Sequence, residues 1–377
     1  MNGKTFTNVA SNSPLSNRSV AVIHEWFGAT GGSEQVFLAI ADLVPHAERF
    51  VLWKDRGVGD GHHLTESWMS RTPLRHSKAL ALPVMPLTWR TLTRRRYDVV
   101  VSSSHAFAHT AKLGAAEGTR YLSYVHSPAR YVWSPDLDAR GSGGLLTPAR
   151  ATLRACDRWL SRHVHSYAAN SCEVRSRIRR YWDRDARVIN PPVDVDYFRA
   201  APAQARAQGR DYLLGVGRWV GYKRFDLMVE IAAQAGLPLV LAGSGPAEVA
   251  LRRQAEKARV PVTFEVRPSK ERLRELYWGA RCLLYPAHED FGMIPVEAQA
   301  CGTPVVGQAS GGLLETVVGG STGYLLDSTA TSSYVDAIAR LHGLSRTDIQ
   351  RQAQRFSPQV FRDRVEAWLR AEAGAVA

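Results

Sequence analysis

The sequence predicts an α/β protein built from two doubly wound parallel-sheet domains that face each other across a cleft. Short apolar runs alternate with amphipathic helical segments, which is typical of βαβ units. The alternation stops at Pro191-Pro192 and begins again near Tyr212. The length of 377 residues suits two or three domains. Because ligands of open parallel sheets bind beyond the carboxyl ends of the strands, this cleft is the expected active site.

Each half of the chain contains apolar runs of strand length, followed by segments with helical periodicity. In the first half we predict strands at 19–26, 49–53, 97–102, 120–125, 166–169 and 187–190, with helices at 33–44, 149–161 and 173–182. In the second half we predict strands at 212–216, 238–242, 262–266, 281–286, 304–307 and 324–326. The helices of that half are expected at 224–234, 246–258, 269–278, 292–300, 313–317, 331–341 and 358–371.

Composition divides the chain further. Residues 1–18 are polar and lack an apolar core, so we expect a disordered lead-in rather than a signal peptide. Residues 19–198 form the first predicted domain, 199–210 a linker rich in Ala, Gln, Pro and Gly, and 211–355 the second domain. The final segment, 356–377, is expected to be a helix that crosses back to the first domain.

The net charge of +13 favours an anionic partner: nucleic acid, an anionic membrane surface or a phosphorylated small molecule. Basic residues concentrate at 90–96 and within 175–184, where either a solvated face or a membrane-docking patch fits. No RNA-binding or helix-turn-helix signature is present, so nucleic acid is not expected. The four cysteines form no CxxC pair, and the paired histidines lack acidic or cysteine neighbours in sequence. We therefore expect neither disulfides nor a metal site, and a cytoplasmic protein.

The most informative stretch is 285–302, YPAHEDFGMIPVEAQACG. Glu289 lies before the expected helix start and Glu297 inside the helix, eight residues on. Eight residues are just over two helical turns, so both carboxylates can lie on the same side, about 12 Å apart along the axis if both were helical. Phe291, Gly292 and Met293 lie between them at the expected helix start, where free N–H groups attract an anion. A ligand with hydroxyls at both ends and phosphates between them would fit; two unrelated surface glutamates would show the same spacing.

Two glycine-containing loops follow strands and could approach phosphates. Gly217 comes at the end of a predicted strand, and Arg218 and Lys223 follow it with charges that could neutralise a diphosphate. Gly31 and Gly32 precede the first predicted helix. Neither loop is a Walker A motif, and an ordinary turn would contain similar residues.

Taken in order, these motifs resemble the retaining glycosyltransferases of family 4, which have the GT-B fold of two Rossmann-like domains. Glu289 and Glu297 match the Glu-x7-Glu motif of that family. The stretches HEWFGATGGSEQVF, YVHSPARYVW and VINPPVDVDYF resemble its branch of mannosyltransferases in polysaccharide and O-antigen assembly. The resemblance covers nearly the whole chain and implies an acceptor-binding first domain and a donor-binding second domain.

The resemblance also implies roles for individual residues. Glu297 would bind the ribose hydroxyls of the donor, Glu289 the hydroxyls of its sugar, and His126 would lie beside that sugar. Arg218 and Lys223 would bind the diphosphate and stabilise the departing nucleotide. The expected site therefore comprises Arg218, Lys223, Glu289 and His126 for the chemistry, and Gly31, Gly32, Gly217, Phe291, Gly292, Met293 and Glu297 for donor binding.

The expected reaction is the transfer of a hexosyl group, with mannosyl as the first choice, from a nucleotide-diphosphate sugar to a hydroxyl. GDP-mannose is the first expected donor, and UDP and ADP sugars stay open because 265–267 departs from the family pattern. The acceptor is a glycan, a lipid-linked saccharide or a small molecule, with peripheral contact at the inner membrane face left open. No cofactor or metal is expected. A nucleotide-sugar 2-epimerase of the same fold and a non-catalytic sugar-nucleotide-binding protein are the alternatives.

Overall fold

The computed structural model describes residues 15–28, 31–115, 118–134, 147–202 and 211–374. The chain forms an N-terminal unit, Met1–Pro192 with Phe361–Ala377, and a C-terminal unit, Val193–Val360. The boundary therefore lies before Val193 rather than at the predicted residue 198. The reason is that Val193, Val195 and Phe198 are buried in the core of the C-terminal unit. Residues 203–210 of the predicted linker lie outside the described residues.

The described part of the N-terminal unit contains a seven-stranded parallel sheet with the order β3-β2-β1-β4-β5-β6-β7. All eight side chains of β1 are buried, as expected for a central strand covered on both faces. The predicted strands are confirmed with small shifts in their ends. The strands are β1 (Val20–Phe27), β2 (Glu48–Lys54), β3 (Leu64–Glu66), β4 (Val99–Ser104), β5 (Arg120–Val125), β6 (Ser166–Ala169) and β7 (Arg187–Val188).

Helices cover both faces of this sheet. Val36, Phe37 and Ile40 form the buried face of the first helix and pack in the same core as Leu15. Because Leu15 is only 1% exposed, the predicted disordered lead-in ends before it; residues 1–14 lie outside the described residues. The helices of this unit are α1 (Gly32–Leu43), α2 (Lys78–Ala81), α3 (Met85–Thr91), α4 (Arg130–Trp133), α5 (Thr147–Leu160) and α6 (Cys172–Trp182).

The C-terminal unit contains a six-stranded parallel sheet within its described residues, with the order β10-β9-β8-β11-β12-β13. Its strands are β8 (Tyr212–Arg218), β9 (Leu239–Ser244), β10 (Val262–Val266), β11 (Ala280–Tyr285), β12 (Val305–Gln308) and β13 (Gly323–Leu326). These confirm the six predicted strands of the second half. The strand order reverses between β8 and β11, as it does between β1 and β4 in the other sheet. Such a reversal opens a crevice at the carboxyl ends of the two strands.

The helices of the C-terminal unit follow the predicted order. They are α7 (Val195–Arg199), α8 (Phe225–Ala235), α9 (Glu248–Ala255), α10 (Lys270–Gly279), α11 (Met293–Ala300), α12 (Leu313–Thr316), α13 (Thr331–Ala339) and α14 (Arg346–Ala353). The last helix, α15 (Pro358–Gly374), contributes Phe361, Val365, Trp368 and Leu369 to the core of the N-terminal unit. None of the described helices is long and apolar enough to span a membrane.

The basic segment within 175–184 is partly neutralised by acidic neighbours. Arg175 and Arg179 both contact Asp185, at 2.9 and 3.0 Å, and Arg177 contacts Glu173 at 2.9 Å. Glu173 and Arg177 are one turn apart on α6, whereas Asp185 lies in the loop that follows this helix. Three of the arginines of this segment are therefore paired with carboxylates, and Arg180 is exposed.

Candidate functional site

Glu289 lies in the loop between β11 and α11, not on the helix. The helix begins at Met293, and Gly292 precedes it with φ 88° and ψ 72°, a conformation that favours glycine. The predicted order, with Glu289 before the helix start and Glu297 inside the helix, is confirmed. The separation of about 12 Å, which assumed helical geometry at both residues, does not apply because the chain turns sharply at Gly292. No side chain of the described residues caps α11, so the N–H groups of its first turn stay available to an anion.

The loop that carries Glu289 is fixed by the glycine pair after β12. The N–H of Gly312 donates to the carbonyl oxygen of Glu289 at 2.9 Å. A Cβ at Gly311 would overlap the same carbonyl oxygen, and φ at Gly311 is 59°. Gly311 and Gly312 therefore let two loops approach closely and place the Glu289 backbone. The sequence shows the pair of glycines but not which loop they meet.

Lys223 and Glu289 form an ion pair at the point where the strand order reverses. Lys223 Nζ lies 2.8 Å from Glu289 Oε1 and 3.4 Å from the Tyr285 hydroxyl, and both charged side chains are mostly buried. Burial alone would lower the pKa of Lys223, but Tyr285 and Glu289 outweigh it and raise that pKa. Lys223 is thus a fixed positive charge at the carboxyl ends of β8 and β11. The structure brings these two predicted residues together.

Gly217 and Arg218 adjoin this ion pair. Gly217 has φ 139°, and a Cβ there would lie 3.4 Å from Lys223 Nζ, so a side chain would crowd the ammonium group. Arg218 ends β8 and is exposed, and it forms no ion pair within the ranges that the structure describes. Its guanidinium group is therefore exposed to an anionic ligand at the carboxyl end of β8. The role of Arg218 in binding a diphosphate stays a prediction.

Glu297 lies within α11, and its partner is Tyr277 of α10. The Tyr277 hydroxyl donates to Glu297 Oε2 at 2.9 Å. Burial raises the pKa of Glu297 to about 7, although the Tyr277 hydroxyl and Lys270 lower it in part. The carboxylate keeps an acceptor oxygen for a ligand hydroxyl, and it titrates near neutral pH. Sequence reasoning missed Tyr277, since nothing in its spacing relates it to Glu297.

Phe291 and Met293 have mainly structural side chains. Phe291 is 3% exposed and packs edge-on against Phe356, with ring centroids 5.4 Å apart. Met293 is partly buried and packs against the same core. Only the backbone of these two residues is placed to contact a donor at the start of α11. That Phe291 and Met293 bind the donor stays a prediction, and it concerns their backbone N–H groups.

Gly31 and Gly32 begin α1, and a carboxylate already lies at this helix start. Glu34 accepts hydrogen bonds from the N–H of Gly28 at 3.2 Å and from the Ser33 hydroxyl at 2.7 Å. A Cβ at Gly31 would overlap the Glu34 carboxylate. A phosphate at this position would therefore meet a negative charge. The role of Gly31 and Gly32 at the donor phosphates stays a prediction. The position of the Glu34 carboxylate at this helix start does not favour it.

His126 follows β5 in the N-terminal unit and is partly exposed. Its Nε2 lies 2.8 Å from the Ser103 hydroxyl, and its carbonyl oxygen accepts from the Asn170 side chain at 3.0 Å. Burial lowers the pKa of His126 well below its usual value, assisted by His24 and His105. His126 is therefore a neutral imidazole whose ring is oriented by Ser103.

His24, Glu25 and His105 form a cluster beside His126 that sequence reasoning missed. Among the described residues, their ligand-type atoms come within 4.8 Å of one another. His24 Nδ1 lies 2.9 Å from the carbonyl oxygen of Ser103, which places the proton of a neutral imidazole on that nitrogen. His105 Nδ1 lies 3.1 Å from Glu25 Oε2, so the cluster is joined by direct side-chain contacts, and the expectation of no metal stays a prediction. A polar HEW sequence ending an apolar strand was the available signal.

Comparisons with known proteins agree with this architecture. Residues 31–197 match the family described as Glycosyltransferase Family 4, and residues 198–356 match the family described as Glycosyl transferases group 1. The two matches adjoin and follow the order of the two units. The chain consists of two glycosyltransferase family domains. The expected family resemblance is thus confirmed at this level, and the fold is GT-B, with two Rossmann-like parallel-sheet domains.

Among curated relatives, a D-inositol 3-phosphate glycosyltransferase of Frankia alni is 32% identical over 200 residues, 46% of this chain and 49% of that protein. The protein of that name from Mycobacteroides abscessus is 34% identical over 186 residues, 44% of this chain and 42% of its own length. The aligned region thus spans less than half of these relatives. Their names do not single out the mannosyltransferase branch.

Solved structures resemble the whole chain at low identity. Anabaena HepE in complex with UDP aligns with a TM-score of 0.71 at 18% identity, covering 94% of this chain and 100% of that one. Sucrose-phosphate synthase from Thermosynechococcus elongatus aligns with a TM-score of 0.72 at 19% identity, with the same coverage. At this level of identity the likeness establishes the fold alone.

Proposed function

We propose that this protein is a retaining glycosyltransferase that moves a hexosyl group from a nucleotide-diphosphate sugar to an acceptor hydroxyl. The observation that carries the proposal is the Lys223–Glu289 ion pair at the strand-order reversal of the C-terminal unit, with Arg218 exposed at the end of β8. Two cations suit a diphosphate, and a carboxylate suits sugar hydroxyls. The two glycosyltransferase family matches support the same reaction class.

In this proposal each residue has one task. Glu297 accepts hydrogen bonds from the ribose hydroxyls, and Tyr277 orients its carboxylate from the other side. Lys223 and Arg218 neutralise the diphosphate as the bond from the anomeric carbon to the phosphate oxygen breaks. Glu289 accepts from hydroxyls of the transferred sugar while it keeps Lys223 protonated. The acceptor oxygen attacks the same face of the sugar, and the leaving phosphate oxygen takes the acceptor proton.

The proposed donor is a nucleotide-diphosphate hexose, and GDP-mannose and UDP-glucose are the two main candidates. The sequence motifs favour the mannosyl donor. The fold neighbour HepE was solved with UDP and with UDP-glucose, which favours the uracil nucleotide. Arg267, at the end of β10, has φ 49°, so the loop that departs from the family pattern also has an unusual backbone conformation. Base selection is therefore to be decided by measurement.

The experiment is a thermal-shift panel of GDP, UDP, ADP and their hexose conjugates on the purified chain. A ligand that binds only the native state raises its melting temperature, by an amount that grows with concentration over Kd. We expect one nucleotide series to stabilise the protein, and Glu297→Gln to reduce that shift. Consumption of the selected donor with retained anomeric configuration, followed by NMR, supports the transfer. Formation of an epimer, or binding without any consumption, contradicts it.

We further propose that the N-terminal unit docks on an anionic membrane surface through residues 68–96. Three large apolar side chains in this segment are exposed: Trp68 by 47%, Leu80 by 68% and Leu87 by 61%. The same segment contains the exposed arginines 94–96, of which Arg95 contacts Glu48. Apolar side chains that insert at the interface, next to cations that attract anionic lipids, are typical of peripheral membrane binding. Lipid-linked acceptors would then be accessible.

Vesicle co-sedimentation tests the docking surface. The double variant Leu80→Glu and Leu87→Glu should reduce binding to vesicles of equal parts phosphatidylglycerol and phosphatidylcholine by more than about tenfold. The reason is that two leucines that would insert into the bilayer interface are replaced by charged side chains. The control is Val249→Glu, which alters an equally exposed apolar side chain on α9 of the C-terminal unit. Equal loss in the control, or binding that does not depend on phosphatidylglycerol, contradicts the assignment.

A further inference from the structure

A buried carboxylate lies at the strand-order reversal of the N-terminal sheet. Glu25, near the end of β1, is fully buried and accepts the N–H groups of His105 at 3.1 Å and of Ala106 and Ala108 at 2.8 Å each. The Ser104 hydroxyl donates to it at 3.0 Å. Burial would raise the pKa of Glu25. The neighbouring imidazoles of His105 and His24 and the N–H groups of Ala106 and Ala108 outweigh it and lower that pKa. Glu25 is thus an ionised carboxylate fixed to the loop after β4.

His105 faces this carboxylate with one ring nitrogen only. His105 Nδ1 is buried and lies 3.1 Å from Glu25 Oε2, and Trp26 packs against the ring at 4.3 Å between centroids. The side chain as a whole is 18% exposed, so the exposure belongs to the rest of the ring. A carboxylate beside Nδ1 keeps the proton on that nitrogen, which leaves Nε2 as a hydrogen-bond acceptor.

The imidazole of His105 is neutral under ordinary conditions. Burial lowers its pKa to about 4, with help from His24 and Lys78, and only Glu25 and Glu34 act in the opposite direction. Nε2 is therefore too weak a base to remove a proton from a hydroxyl at neutral pH, but it is free to accept a hydrogen bond. Its ligand must be a donor, such as a hydroxyl group.

A second imidazole is held beside it. His126 and His105 have ring centroids 6.2 Å apart, and both are partly exposed. Ser103 connects His126 to the buried His24, through contacts of 2.8 Å to His126 Nε2 and 3.1 Å to His24 Nδ1. Each exposed ring is thus oriented from behind by a buried polar group. The pair lies after β4 and β5, next to the crevice that the strand order creates.

The charges near this pair select against an anion. Glu25 is buried directly beneath His105, and the Glu34 carboxylate lies at the start of α1 and acts on the same ring. Lys78 is the cation that acts on His105 within the described residues, and it lies over the Trp26 ring at 4.1 Å. A phosphate would meet two carboxylates, whereas an uncharged hydroxyl would meet a prepared acceptor.

We propose that His105, oriented by Glu25, binds an uncharged hydroxyl of the sugar or polyol acceptor at Nε2, next to His126. This inference rests on the proposed glycosyltransferase function and assigns its acceptor subsite. Glu25 is the positioning residue: it fixes the tautomer that makes Nε2 an acceptor. In Glu25→Gln the amide N–H₂ would face Nδ1, so the proton would move to Nε2 and the exposed edge would become a donor.

The first test uses ¹⁵N-histidine NMR on the full chain, with the His105 signal assigned by its loss in His105→Gln. We expect a protonated Nδ1 and a bare Nε2 in the wild type, and the reverse in Glu25→Gln. Addition of myo-inositol or of octyl glucoside, octyl mannoside or octyl galactoside should shift the Nε2 signal. A wild-type Nε2–H tautomer, or no shift with any of these probes at tens of millimolar, overturns the proposal.

The second test separates the acceptor site from the donor site by kinetics. With the donor chosen by thermal shift and the most reactive probe as acceptor, Glu25→Gln and His105→Gln should raise the acceptor KM roughly 5- to 20-fold. The donor KM and the nucleotide-induced melting shift should stay unchanged. His46→Gln, which alters an exposed histidine of the same unit outside residues 68–96, is the control and should behave as wild type. A change in the donor KM alone overturns this inference. A wild type that neither binds nor consumes any donor overturns the proposed function instead, and the NMR experiment still tests the hydroxyl site.

Discussion

Glu297→Gln should stabilise the protein at pH 8 and leave its stability nearly unchanged at pH 5. The Glu297 side chain is partly buried against α10, and this burial raises the pKa of its carboxyl group to about 7 from an ordinary value of 4.5. The folded chain therefore retains a proton that the unfolded chain has released in this range. The stabilising contribution of this group is fully present below about pH 4.5 and is lost as the pH rises through about 7.

The size of the effect follows from the pKa difference. One unit corresponds to about 1.4 kcal/mol, so a shift from 4.5 to about 7 places the cost of ionising Glu297 at no more than about 3 kcal/mol at pH 8. Glutamine keeps the Tyr277 hydrogen bond as an acceptor and removes the ionisation. For a unit of this size, about 3 kcal/mol corresponds to a rise of roughly 5–10 °C in melting temperature.

Thermal unfolding at pH 5 and pH 8, followed by circular dichroism, measures this difference. Glu256→Gln, which alters an exposed glutamate at the end of α9, is the matched control and should show no gap between the two pH values. The reasoning is refuted if Glu297→Gln melts below the wild type at pH 8, or if the gap is equal at both pH values. Nucleotide affinity of the wild type should also decrease between pH 8 and pH 6, because ribose hydroxyls donate better to the ionised carboxylate.

Two further changes address the loop around Glu289. Lys223→Met should slow transfer by at least about a hundredfold in kcat, because the positive charge that stabilises the leaving phosphate is lost. A normal rate would show that Lys223 takes no part in the chemistry. The same substitution should also lower the melting temperature, since Glu289 loses its partner. Gly311→Ala should weaken donor binding and stability together because a Cβ would overlap the Glu289 carbonyl oxygen; Gly319→Ala, where a Cβ meets nothing within 4 Å, is its control in both assays.

Most strands could be predicted because each is a short, nearly uninterrupted apolar run, as a sheet covered on both faces requires. β3 is the exception. Its three residues, Leu64–Glu66, contain one apolar side chain, and the strand pairs with β2 only, at the edge of the sheet. An edge strand needs no buried faces, so it leaves no apolar run in the sequence. The domain boundary was placed too late because the small and polar residues of 199–210 resembled the linker, although Val193, Val195 and Phe198 before it are already buried in the core of the C-terminal unit.

The site was predictable as a set of residues but not as a set of contacts. Glu289, Lys223 and Glu297 were identified from motif and strand position. The sequence contains no sign that Lys223 meets Glu289 or that Tyr277 meets Glu297, because these contacts depend on which loops the sheet order brings together. The order of the two glutamates around the helix start was predicted, but their separation was not, because a helical spacing does not hold across Gly292, where the backbone leaves the helical region.

Each unit places a carboxylate beside a nitrogen-containing side chain at the point where its strand order reverses: Glu25 with His105, and Glu289 with Lys223. The two pairs differ in which groups stabilise the negative charge of the carboxylate. Glu25 accepts three backbone N–H groups and a hydroxyl in addition to facing the His105 ring, so most of its hydrogen-bond donors do not belong to that ring. Glu289 has its own carbonyl oxygen fixed by Gly312, but its carboxylate is paired with Lys223. Removal of His105 should therefore leave the N-terminal network intact, whereas removal of Lys223 leaves a charge unpaired. The first site is built to present a neutral acceptor atom, and the second to present a cation that a bound diphosphate can share.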